Sequence, residues 1–262
     1  MRRSSYYWGF ILVLVGILFL LTNLGYLEGI NLWNLIWPLS LVALGLWTLW
    51  GVFFNRPTGG EQAAIPLEGA KRAQVRINHG AGKLAIQAGN ANNDLLLGTF
   101  VGGLISRTRR EGDLLEARLS IPPRVSPFWF PMTGLNWSFN LNREILLALD
   151  FQTGANEARI DLTDLHVTDL RFHSGASSSE IYLPASAGTT RVELEIGAAS
   201  VNIHIPEAVA ARVRARGGLS STNINRKRFP RTGDYFQSPD YDTAQNKAEI
   251  RVDVGVGTVT IN

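Results

Sequence analysis

No cysteine occurs in the 262 residues. That excludes a disulfide framework, a thiol nucleophile and a cysteine-ligated metal, and it is compatible with a reducing compartment. Charge is also scarce. Asp, Glu, Lys and Arg make up 18% of the chain and the net charge is +3, too small an excess to argue for a nucleic-acid partner. Histidine is limited to four positions. His173 and His204 fall at outward positions of alternating segments, His79 borders a glycine and His166 lies in a connector. None of them has the spacing to a second ligand type that a metal site requires. Charge is scarcest between residues 6 and 54, where Glu28 stands alone.

That uncharged region predicts a transmembrane helical hairpin over residues 1–55. "YYWGFILVLVGILFLLTNLG" and "NLIWPLSLVALGLWTLWGVFF" are each long enough to cross a bilayer, which takes about 20 residues as a helix. A short turn, "GYLEGINLW", joins them. Tyr6, Tyr7 and Trp8 mark one interface together with Trp47, Trp50, Phe53 and Phe54, and Trp33 and Trp37 mark the other. A cleaved signal peptide fits less well, because the apolar run is too long, no A-x-A-like site follows and a second span comes directly behind. Arg2 and Arg3 precede the first span, and Arg56, Lys71, Arg72 and Arg76 follow the second. The positive-inside rule then places both ends, and the C-terminal domain, in the cytoplasm.

Residues 56–70, "RPTGGEQAAIPLEGA", read as a linker. From residue 71 to 262 one pattern recurs: apolar alternation, a glycine, then alternation that reaches an isoleucine six residues later. It fits at Gly80, Gly154, Gly175, Gly197, Gly218 and Gly255, with Ile86, Ile160, Ile181, Ile203, Ile224 and Ile261 as the matching isoleucines. Positions 154, 175, 197 and 218 are 21, 22 and 21 residues apart, at the short end of the solenoid range. Period-two alternation marks strands. The glycine takes a corner between two of them, where positive φ or close backbone approach is needed, and Pro184 and Pro206 end their strands.

The outward positions choose between hairpins and a parallel stack. Four residues before the glycine stand Asp150, Arg171, Glu193, Arg214 and Arg251; two before it stand Gln152, His173, Glu195, Arg216 and Asp253. Arg159 and Glu180 alternate in the same way five after it. Opposed unlike charges help a strand pair and like charges hurt it, so alternation between repeats implies that each repeat touches the next. The fold class expected is a two-helix transmembrane hairpin followed by an all-β domain, a β-solenoid of repeats of about 21 residues. Insertions interrupt it at 92–140 and 225–248. The first holds two or three longer strands, with "REGD" as a turn, and then an aromatic stretch, "RVSPFWFPMTGLNWSFN". Three readings stand for that stretch: a cap over the open end of the stack, contact with the bilayer interface, and a partner-binding loop. The second insertion carries Arg226, Lys227, Arg228 and Arg231, which read either as a solvated loop or as contacts to anionic headgroups.

Reaction chemistry is not indicated. "GAGK" at 80–83 and "GVGT" at 255–258 run into strands, whereas a phosphate loop needs a helix N-terminus. "SGASSS" lacks the nucleophile-elbow pattern, and Asp161, Asp164 and Asp169 follow the turn rhythm. The expectation is a chain that is not an enzyme, with no catalytic, metal or cofactor-binding residues and no cofactor.

The spelling "WGFILVLVGILFLLTNLG…WPLSLVALGLW" resembles the LiaI/LiaF-like transmembrane region. The repeats and "FPRTGDYFQSPDYDTAQNKAEIRVDVGVGTVTI" resemble the toast-rack domain of LiaF-like cell-envelope stress response proteins; Tyr235, Ser238, Pro239, Tyr241, Ala244, Asn246, Ile250, Gly255 and Gly257 are the most specific part. The resemblance implies a bacterial inner-membrane regulator that acts with a sensor histidine kinase, with no catalytic residues to carry over. The contact residues expected are Phe128, Trp129, Phe130, Arg226, Lys227, Arg228, Tyr235 and Tyr241. The partners expected are the lipid bilayer and another membrane protein, with a homo-oligomer possible and no nucleic acid. The other class to weigh is a structural or adhesive solenoid, self-associating or displayed outside the cell.

Overall fold

The computed structural model describes residue 37 and residues 60–89, 93–122 and 135–262. The hairpin of residues 1–55, apart from Trp37, therefore lies outside the described residues, as do residues 56–59 and Phe128, Trp129 and Phe130. Among the described residues no helix is long and apolar enough to cross a membrane. The chain divides into two units, Met1–Asn55 and Arg56–Asn262, and everything below concerns the second.

Its backbone is β1 (Glu61–Pro66), β2 (Arg72–Ala88), β3 (Asp94–Val101), β4 (Ile105–Glu111), β5 (Leu114–Ser120), β6 (Asn136–Leu141), β7 (Leu146–Asp161), β8 (His166–Tyr182), β9 (Thr189–His204), β10 (Ala210–Ile224), β11 (Arg231–Thr232), β12 (Tyr235–Gln237) and β13 (Lys247–Ile261). Each repeat is one long strand, and its buried residues change parity across the anchor glycine. In β2 they are Val75, Ile77 and His79, then Leu84 and Ile86; in β9 they are Val192, Leu194 and Ile196, then Val201 and Ile203. A straight strand keeps one parity on one face. The switch means that the chain turns at the glycine, so that both arms present their apolar side to one interior.

Neighbouring coils pair in parallel and in register. Ile86 faces Ile160, Ile160 faces Ile181, Ile181 faces Ile203, Ile203 faces Ile261, and Ile261 faces Ile224. The first five are at most 2% exposed, while Ile224 is half-buried against the core. The anchor glycines stack as a second column. A β-carbon added at Gly154, Gly197 or Gly255 would lie 2.5, 2.7 and 2.7 Å from the carbonyl oxygens of Gly80, Gly175 and Gly197 respectively. Close backbone approach is thus what excludes a side chain here. Positive φ at the corners belongs instead to Gly82 (131°) and Gly257 (134°), two residues past the anchor.

Three expectations need correction. Residues 61–66 of the expected linker form β1, which pairs antiparallel with β3; in "EQAAIP" Ile65 is buried and anchors the strand. The 92–140 insertion is largely a further coil. β5 runs parallel to the first arm of β2, and β6 runs parallel to its second arm. Leu115, Ala117 and Leu119 continue one wall of the interior, and Trp137, Phe139 and Leu141 continue the other. β5 ends at Ser120 and β6 begins at Asn136, so the two arms of this coil are separate strands. The "REGD" turn does close a hairpin, from β4 to β5, through Gly112 at φ 60°.

The third correction concerns order. Along the stack the strands run β2, β7, β8, β9, β13, β10, so the last repeat in the chain lies between the two that precede it. The interior explains this. β13 offers Ile250, Val252, Val254, Val259 and Ile261, all buried, whereas β10 has Ala215, Gly217 and Thr222 at the corresponding places. A coil with neighbours on both sides must fill the core, and the thinner coil suits the end. The outward charges argued for β10 against β9. The observed order instead sets Glu195 beside Asp253 and Arg251 beside Arg214. Exposed pairs of this kind are worth well under about 1 kcal/mol, and burying a single large apolar side chain outweighs them.

Candidate interaction surface

The outward face of the stack carries rows of paired charge. Arg76 Nε lies 2.9 Å from Asp150 Oδ2, Lys83 Nζ 2.9 Å from Glu157, and Arg159 Nη1 2.9 Å from Glu180. Glu193 stands between two arginines, 3.9 Å from Arg171 and 3.8 Å from Arg251. His173 Nδ1 approaches Glu195 at 3.1 Å. On the second arm, the Tyr182 hydroxyl donates to Glu180 Oε1 at 2.8 Å, and its ring stacks on His204 with centroids 4.4 Å apart. That hydrogen bond is the main reason the Glu180 carboxyl is held below the usual range and the Tyr182 phenol is pushed up.

The segment between β10 and β13 is what allows the last repeat to enter the stack. Ser238 closes on Ala211 twice: its Oγ accepts from Ala211 N–H at 2.8 Å, and its own N–H donates to the Ala211 carbonyl at 2.9 Å. Asn246 Oδ1 accepts from Gly188 N–H at 3.1 Å. Arg212 lies over the Tyr241 ring at 4.3 Å and the Tyr235 ring at 5.1 Å, and donates to Gln237 Oε1 at 2.7 Å. Tyr241 is 7% exposed, and burial raises its phenol. Arg228 donates to the carbonyls of Ile205 (2.6 Å), Val209 (3.1 Å) and Pro206, tying down the connection from β9 to β10. Burial lowers its guanidinium from the ordinary value.

The expected contact residues therefore divide. Arg228 and Tyr241 are built into the fold. Arg226 and Lys227 are exposed on the turn after β10. Tyr235 is half-buried and lines a cleft of about 230 Å³ with Arg191, Glu193, Arg212, Arg214 and Arg251. Sequence reasoning did not single out that cleft, because its walls come from β9, β13, β10 and β12, which meet only through the changed strand order. Among the described residues no group of three or more His, Cys, Asp or Glu is placed to hold a metal ion.

Comparison with known proteins places this geometry. A solved structure from Clostridium sporogenes, described as a "putative cell adhesion protein", superposes with a TM-score of 0.67 at 21% identity, covering 77% of this chain and 97% of that one. The similarity is one of fold. A "putative adhesin" from Bacteroides fragilis aligns at 10% identity with a TM-score of 0.32, over 78% of this chain and 98% of that one, and carries no argument. No curated protein matches the chain. The model of the LiaI-LiaF-like transmembrane region matches residues 6–49, and that of the N-terminal domain of toast_rack matches residues 54–204. With its membrane region and its stacked β domain each accounted for, the chain belongs to the toast-rack family and is a LiaF-like membrane protein.

Proposed function

We propose that this protein is a non-enzymatic, membrane-anchored regulator of cell-envelope stress signalling. Its N-terminal hairpin passes twice through the bacterial inner membrane, and the β stack lies in the cytoplasm. There the stack offers a rigid, charge-patterned wall to a membrane partner, a sensor histidine kinase in the first instance. The observation that carries the reading is the joining of a LiaI-LiaF-like transmembrane region to a toast-rack domain in one chain. A supporting observation is that outward side chains pair with one another along the stack; such a surface suits recognition, where charge complementarity sets specificity. Deleting the gene and following an envelope-stress reporter with and without cell-wall antibiotics tests the role. Altered output is expected, and identical output in both strains overturns it. Alkaline phosphatase fused after Asn262 tests the topology, and an active fusion reverses it.

A second reading, a self-associating structural solenoid, has one observation in its favour. The second arm of β10 has β13 on one side and, among the described residues, no strand on the other. Residues 218–224 contain no charge and no proline. The edge strand β4 is guarded by Arg107, Arg109, Arg110 and Glu111, the usual defence against edge pairing. Light scattering of the full chain in detergent, with Thr222→Lys as the edge-blocking variant, separates the readings. A dimer that Thr222→Lys dissolves favours self-association; a monomer removes it.

A further inference from the structure

The cleft beside Tyr235 breaks the alternation of charge that one outward column otherwise keeps. Along the column four residues before the anchor glycines, the order is Arg76, Asp150, Arg171, Glu193, Arg251, Arg214. Each of the first four junctions joins opposite charges. The last sets Arg251 directly beside Arg214, on strands about 4.8 Å apart. Arg214 is half-buried, and its side chain makes no hydrogen bond or ion pair among the described residues. Arg251 has only the 3.8 Å approach to Glu193, which Arg171 shares. Four arginines and two glutamates (Glu193 and Glu249) line the cleft, leaving an excess of two positive charges. The phenol of Tyr235 forms part of one wall, which is stiffened by Arg212 lying over its ring at 5.1 Å.

We infer that this cleft binds a carboxylate side chain of an acidic peptide segment, seated between Arg214 and Arg251. The stack itself displays the template: Glu193 sits between Arg171 and Arg251 at 3.9 and 3.8 Å. Arg251 and Arg214 stand on directly paired strands, so a carboxylate reaching them would come from solvent above the junction and give Arg214 its counter-ion, with guanidinium forks suited to bidentate contact. Glu193 and Glu249 select against a compact dianion, whose second charge they would face, and tolerate single charges spread along an extended peptide. The inference stands on the strand order and holds whether or not the partner is a sensor kinase.

The test uses the full chain in nanodiscs of zwitterionic lipid and a fluorescein-labelled hexaglutamate peptide, read by anisotropy. Saturable binding is expected. It should weaken at least about tenfold in Arg214→Gln and in Arg251→Gln, since charged hydrogen bonds of this type contribute at least that factor. Arg226→Gln, on the exposed turn, should bind as the parent does, and inorganic phosphate at equal concentration should not displace the peptide. Arg214→Gln should melt no lower than the parent, because it relieves a like-charged junction. No saturable binding, equal weakening by Arg226→Gln, a lowered melting temperature in Arg214→Gln, or displacement by phosphate would each overturn the assignment.

Discussion

The two ends of the stack are finished in different ways. Beyond β2 a split coil covers both arms, β5 over one and β6 over the other. Its interior is filled with large rings: Phe100 stacks on Phe139 at 5.6 Å, and Trp137 meets Phe100 at 5.2 Å and His79 at 5.1 Å. At the opposite end, β10 is covered over its first arm only, by β12 at Arg212 and Val213, and its second arm stands at the edge. The comparison shows what a repeat unit needs from its neighbours. A coil with partners on both sides carries a full apolar set and a glycine pressed against the next backbone. A terminal coil can be thin inside, and its outer surface is where unpaired charge and an unguarded edge collect.

The most severe way to break the comparison is to remove β13. If the last repeat were a terminal cap, truncation after Asn246 would trim the stack; because β13 joins β9 to β10, truncation should abolish the folded β domain, seen as lost protease resistance and lost β-sheet circular dichroism. Gly197→Ala comes next, at about 3 kcal/mol by urea denaturation, since its β-carbon would meet the Gly175 carbonyl oxygen at 2.7 Å. Gly218→Ala in the terminal coil, at 3.3 Å from the Gly255 oxygen, should cost less than about 1 kcal/mol. Ile181→Ala should likewise cost about 3 kcal/mol and Ile224→Ala about 1 kcal/mol, and equal costs would show that β10 is as well packed as the interior.

The aromatic end makes a pH prediction. His79 is 1% exposed, and neither ring nitrogen has a hydrogen-bond partner among the described residues. Burial therefore holds its imidazole below the ordinary value, with the nearby Leu135 carbonyl offsetting part of the effect. The unfolded chain takes up this proton near pH 6.5 while the folded chain resists it. Stability from this source is thus complete above about pH 6.5 and falls as pH drops below it, by up to about 1.4 kcal/mol per pH unit. His79→Leu should flatten that slope in unfolding measured between pH 7 and pH 5. The smallest effect is expected on the outer face. Lys83→Ala removes a pair whose side chains are 66% and 64% exposed, and should change stability by less than about 0.5 kcal/mol.

Much of the β domain was legible because its code is local. Period-two alternation fixed the long strands, and the six-residue interval from glycine to isoleucine set the register that Ile86 through Ile261 display. The split coil was not legible: "LLEARLS" and "NWSFNL" alternate as the other arms do, but fifteen residues separate them instead of a short glycine corner, so nothing marks them as halves of one unit. Tyr241 and Arg228 were read as contacts because aromatic and basic residues in a loop suggest a surface. The fold buries one and ties the other to three carbonyls. The signal that could have found the clamp is the Ser238–Tyr241–Asn246 spelling, whose spacing matches no strand period and so had to serve the connection.

The sequence by itself determined the repeat unit: which segments alternate, which of their residues face inward and which glycines mark the corner, because these follow from side-chain alternation and from the room a backbone needs. Only the tertiary structure decided the order of the units. β10 and β13 share the glycine-to-isoleucine spacing, and the long connection lets either one reach β9. The choice fell to how completely each fills the shared interior, and that choice created the cleft in which Arg214 stands unpaired.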